Sequence, residues 1–157
     1  MTVPMPRKRL SLPGFGRRVL AWACCCFSTH VLAADIDGRW LTFDSDTGAK
    51  RSIVEIVLAN DIVQGQIVEL FRRPGEPSDP VCDQCTGAQH GKPILGMEIL
   101  LLNAASDGSY AGKILDPEEG RFYKCIVTMG VDRKRLSIRG YVGTPLIGRT
   151  VVWQRVE

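Results

Sequence analysis

Two cysteines, Cys82 and Cys85 in the stretch "DPVCDQCTGAQHGKP", are the residues of this 157-residue chain whose type and spacing most readily do chemistry. A C-x-x-C pair can close a disulfide, supply half of a zinc site, or work as a thiol redox centre. Zinc would recruit His90 and Cys125 to complete a Cys3His set, but the second C-x-x-C that makes zinc spacing specific is missing. Redox chemistry would want the pair at a helix N-terminus, where the dipole lowers the pKa of the first thiol. Here Pro80, Asp83 and Gly87 surround it and no helical pattern follows. The leading reading is a disulfide between Cys82 and Cys85 that pins a long loop, with Cys125 a small buried hydrophobe. A bond from Cys125 to either loop cysteine is the rival, because connectivity among three cysteines is not written in their spacing.

Other catalytic signatures are missing. The chain has no G-x-S-x-G, no H-E-x-x-H and no P-loop, and beyond the N-terminal region its one histidine is His90. Glu55 and Glu69, on neighbouring strands, are the carboxylate pair most open to acid–base work. Glu118 and Glu119 sit in a turn, and "DSDTG" from Asp44 to Gly48 reads as a turn and not as a calcium loop. A non-enzymatic protein without a cofactor is therefore expected. For binding, the densest block is "RGYVGTPLIGR": Arg139 and Arg149 flank a tight connection, and two guanidiniums there could clamp a carboxylate, phosphate or lipid headgroup. Leu146 and Ile147 at its tip, if exposed, point to a partner or membrane contact. Glu55 needs a cation such as Arg139 or Arg149 if it faces a barrel interior, since an unpaired buried carboxylate is costly. The plainer reading makes all three solvated surface groups.

The compartment constrains these choices. Arg7, Lys8, Arg9, Arg17 and Arg18 precede the apolar run "VLAWACCCFSTHVLAA", which ends in small residues, the layout of a secretory signal peptide cleaved after residue 33 or 34. The run is short for a retained membrane span; Arg17-Arg18 raises a twin-arginine route as the alternative to Sec export; Trp22 argues against a lipoprotein site at Cys24. The expected location is periplasmic or secreted, where cysteines pair. The chain carries 20 basic and 17 acidic residues; without residues 1–34 it carries 15 against 17, so a nucleic-acid partner loses its support.

The remaining 123 residues suit one domain with a sizeable core, and no later stretch is long and apolar enough for a transmembrane helix. Alternating segments rich in Val, Ile, Leu, Tyr and Trp occupy 38–43, 52–58, 62–71, 97–102, 109–115, 121–129, 134–142 and 149–156, separated by Gly, Asn, Asp and Pro. About eight strands with hairpin-length connections, plus one long loop at 72–93, predict an all-β domain over 35–157. It is read as a single antiparallel up-and-down barrel, since closure removes exposed edges; an open sandwich is the alternative.

Gly38-Arg39-Trp40 on the first segment, with Trp153 and Arg155 on the last, resembles the lipocalin-like or calycin barrels. That resemblance implies a Trp packed at the closed end under a basic side chain from the last strand, a cation–π contact. The wider set "GRWLTFDSDTG", "GQIVEL", "DPVCDQCTG", "GKPILGMEIL", "GKILDPEEGRFYKC" and "LSIRGYVGTPLIGRTVVWQRV" is similar to domain-of-unknown-function family 2147, small exported bacterial proteins. It implies a lipocalin-like barrel and no established activity. Tyr123, Arg139, Tyr141 and Arg149 are among the shared positions and, with Glu55, are the candidate ligand contacts; Trp40, Trp153 and Arg155 are structural. Three roles remain in view. One is a carrier of a small apolar, amphipathic or anionic ligand or an envelope component such as a lipid. The second is an envelope interaction module with a filled barrel. The third is a zinc or thiol-redox protein.

Overall fold

The computed structural model describes residues 36–156; the expected leader at 1–34, with Asp35 and Glu157, lies outside them. Eight strands follow in chain order: β1 (Gly38–Phe43), β2 (Lys50–Ala59), β3 (Ile62–Leu70), β4 (Glu98–Ala104), β5 (Tyr110–Asp116), β6 (Arg121–Met129), β7 (Arg135–Tyr141) and β8 (Gly148–Arg155). Each pairs with the next, and β8 returns to β1, so the sheet closes into an antiparallel up-and-down barrel. Every strand boundary lies within two residues of its expected segment. The seam is short, with β1 and β8 meeting through Trp40–Arg155 and Leu41–Gln154.

Strand alternation decides what points inward. On β7, Leu136 and Ile138 are buried while Ser137 and Arg139 face the other way. On β2, Val54 and Ile56 fill the interior, and Glu55 is exposed, level with Arg39 and Gln66 on the outer surface. The condition under which Glu55 would need a buried cation is therefore not met. Asn60 and Asp61 join β2 to β3 with φ of 52° and 64°. Two left-handed residues make a type I′ turn, whose twist matches that of the strands it connects.

Alternate connections of such a barrel lie at the same end. The β2–β3, β4–β5 and β6–β7 turns close one end, where Trp40, Val54, Ile56, Val63, Leu100, Leu102, Val127 and Leu136 are completely buried. The Trp40 Nε1–H donates to the Ile36 carbonyl at 3.0 Å. The Arg155 guanidinium lies 4.3 Å from the centre of a Trp40 ring, held there by donating to the carbonyls of Asp37 and Arg133. Gly38 makes this possible: its φ is 127°, and a Cβ would stand 2.7 Å from Arg155 Nη1. The cation–π contact stabilises this floor by about 0.5–2 kcal/mol. The β1–β2, β3–β4, β5–β6 and β7–β8 connections surround the opposite end.

Candidate functional site at the open end

A cavity of about 760 Å³ opens between those four connections. Ile67, Ile114, Ile138, Val151 and Trp153 give it apolar walls, and the buried hydroxyls of Thr42 and Ser52 satisfy each other at 2.7 Å. Charged groups gather higher up: Asp44, Asp46, Asp116, Glu118 and Glu119 with Arg51, Arg72 and Arg149. The barrel is thus packed at the Trp40 end and hollow at the other.

Each arginine of this rim has a carboxylate. Asp44 accepts from the Thr47 hydroxyl at 2.7 Å and the Thr47 amide at 2.8 Å, from Arg73 at 2.9 Å and from Arg51 at 3.3 Å. These bonds, the Thr47 hydroxyl first, hold its carboxyl far below the usual range. Arg51 also meets Glu118, Arg72 reaches Glu76 at 3.3 Å, and Arg149 donates to Asp46 at 3.1 Å and the Ser45 carbonyl at 3.2 Å. Asp116 differs: burial pushes its pKa up, against the bonds it accepts from the Glu118 and Glu119 amides. Tyr123 donates its hydroxyl to Glu119, which raises the phenol's pKa.

The arginine clamp expected from "RGYVGTPLIGR" is not assembled. The register sets Arg139 opposite Thr150 and Arg149 opposite Gly140, so the two guanidiniums belong to opposite faces of the sheet. Arg149 lines the cavity; Arg139 lies outside and donates to the carbonyls of Pro145 and Leu146 and to Thr150 Oγ1. Tyr123 and Tyr141 both line the cavity, and Glu55 is remote from it on the exterior. Asp44, Asp116, Arg51 and the Thr42–Ser52 pair were not singled out as site residues. "DSDTG" did mark a turn, but nothing local to it announces that Arg73 and Arg51 converge on Asp44.

Cys82 and Cys85 form a disulfide, their Cα atoms 5.3 Å apart and both side chains buried. The loop folds back on itself: Cys82 N–H donates to the Lys92 carbonyl, Gly91 N–H to the Cys82 carbonyl, and Val81 bridges Pro93. It then packs on the β5–β6 turn. The Cys82 sulfur is 3.1 Å from the Pro117 carbonyl oxygen, and Gly120, at φ 63°, leaves no room for a Cβ beside the Gln84 carbonyl. The four-residue zinc alternative is not brought together. Both loop sulfurs are consumed in the bond, and His90 Nδ1 is 3.0 Å from the Cys85 carbonyl. Cys125 projects into the barrel from β6, level with Gly112 and Gly140, its thiol pushed up to about 12 by burial. Among the described residues no three His, Cys, Asp or Glu side chains are grouped to hold a metal ion.

With eight strands in order, the Trp40–Arg155 floor and the C-x-x-C loop in place, comparison with known proteins is decisive. Residues 38–155 match the sequence profile of a family described as "Uncharacterized protein conserved in bacteria (DUF2147)". The chain belongs to DUF2147. No curated protein matches the chain by sequence. Among solved structures, this DUF2147 barrel is similar to protein HP1028 from the human pathogen Helicobacter pylori, described as belonging to the lipocalin family. The TM-score is 0.64 and the identity 17%, over 77% of this chain and 82% of that one. At that identity the likeness is one of fold, and it places DUF2147 architecture with the lipocalin-like barrels.

Proposed function

We propose that the protein is an exported, non-catalytic binding barrel that takes a small amphipathic molecule tail-first into the open half of its interior. The observation that carries this reading is the half-filled barrel. The floor is packed with completely buried side chains, while about 760 Å³ above it has apolar walls and a charged rim. Small-molecule sites have volumes of this order, roughly 300–1,000 Å³. An alkyl or aromatic tail would meet Ile114, Ile138 and Trp153, and a head would meet Tyr123, Asp116 and the paired arginines. Because Arg51, Arg72 and Arg149 already have carboxylates, a neutral or zwitterionic head fits this rim better than an anionic one.

A buried disulfide favours export to an oxidising compartment. Non-catalysis is favoured by the state of the nucleophile candidates, two sulfurs bonded together and one thiol buried with its pKa raised. The packed floor favours a filled structural module, and the hollow upper half favours the carrier.

Titration with the neutral fluorophore N-phenyl-1-naphthylamine separates them. Saturable enhancement, displaced by neutral or zwitterionic amphiphiles and lost at least about tenfold in Val151→Trp, which fills the cup, is expected for a carrier. Absence of saturable binding by a correctly melting protein would leave the filled module. Native mass spectrometry of the exported protein should show a mass beginning near Asp35, reduced by one disulfide.

A further inference from the structure

The charge of this barrel is divided along the chain. From residue 36 to 120 there are seven basic and fourteen acidic residues; from 121 to 156 there are eight basic and one acidic, Asp132. The second segment is β6, β7 and β8 with their turns, three neighbouring strands. One side of the barrel therefore carries a formal excess of positive charge, and Asp132 is already paired with Arg135 at 3.0 Å.

That same side holds the most exposed apolar side chains of the open end. Leu146 is 90% exposed and Ile147 77%, at the tip of the β7–β8 connection, with Val142 and, on the outer face of β6, Phe122 also exposed. The register brings them to one place: Lys124 is level with Tyr141, and Tyr141 with Gly148, so Phe122, Lys124 and the loop all lie at the mouth end. Arg139 ties the charge to the tip. Its guanidinium donates to the carbonyls of Pro145 and Leu146 and to Thr150, and none of these partners is a carboxylate. A positive charge is thus held directly beneath two exposed aliphatic side chains. Arg149 is not counted, because Asp46 offsets it.

We propose that this face docks the barrel onto an anionic phospholipid surface, with Leu146 and Ile147 inserted among the acyl chains and Lys124 and Arg139, both on the outer face, at the headgroups. Two signals, apolar insertion and cationic attraction, are what stable but reversible membrane association requires. Leu146, Lys124 and Arg139 lie outside the cavity lining, so the inference stands whether or not the cup holds a ligand. An acidic protein partner would use the charge but has no need of aliphatic side chains raised on a loop tip. Val142 and Ile147 also line the cavity mouth, so the docked face would set the open end beside the membrane.

The test is co-sedimentation of the full mature chain with vesicles of pure phosphatidylcholine and of phosphatidylcholine mixed with phosphatidylglycerol. Binding should be at least about tenfold stronger to the mixed vesicles and fall about tenfold between low and high salt. Leu146→Glu, and separately Lys124→Glu, neither of which lines the cavity, should each weaken it at least about tenfold while melting and fluorophore binding stay unchanged. Both positions are exposed, so folding is preserved. Equal binding to both vesicle types, or undiminished binding by either variant, overturns the proposal. So does failure to bind mixed vesicles at low salt, including the case where an acidic protein binds this face instead.

Discussion

At the rim carboxylate Asp116 the environment works against the charge. The backbone amides of Glu118 and Glu119 shape its turn, yet burial raises its pKa above the ordinary value. A raised carboxyl pKa adds stability that is complete below the unfolded-state value of 3.8 and disappears as pH rises through the folded value. Asp116→Asn keeps the oxygen that accepts those amides and removes the ionisation. It should melt higher than the wild type at neutral pH, with the two curves converging as pH falls below about 4. Convergence at neutral pH with divergence in acid would show the sign to be reversed. At this scale sequence reading had uneven reach. Trp40, Arg155 and the cysteine pair could be picked out because their geometry is local or follows from strand order. Asp116 could not, because its burial depends on how the surrounding connections pack, and at Asp44 the Thr47 bonds are local while the arrival of Arg73 and Arg51 is not.

Among the elements, the 71–97 connection and the β7–β8 hairpin show where strand reading stops. Periodicity located all eight strands, since burial on one face writes itself into every second residue. It could not set Arg139 against Arg149. Which two residues face each other across a hairpin follows from register, and a shift of one position moves a side chain to the other face. The cysteine loop needs no such register, because a three-residue spacing closes on itself. Its disulfide spans a very short ring, so the chain-entropy contribution is about 2 kcal/mol. Cys82→Ser with Cys85→Ser should cost that much or less in urea unfolding and leave the barrel closed. Faster hydrogen exchange is expected at the Cys82 and Gly91 amides, which this fold-back protects. A loss of the whole native signal would mean the loop is needed to form the barrel.

For the whole molecule, division of labour between the two ends is the central physical fact. The Trp40 end holds most of the completely buried side chains and is where stability should concentrate. Trp40→Ala should cost about 3–5 kcal/mol by denaturant unfolding, whereas Arg155→Met, which keeps bulk over the ring, should cost about 0.5–2 kcal/mol. The mouth end can then carry exposed apolar and charged groups without threatening the fold. Total charge concealed this design, because acidic and basic residues nearly cancel over the barrel while being separated along the chain. Closure rests on β1 and β8, the first and last strands among the described residues, joined through two residue pairs. A sheet of β1 to β7 therefore has two unpaired edges until β8 docks between them. Its most vulnerable moment comes just before β8 docks, and a loss of β8 would leave an adhesive sheet in place of a smaller barrel.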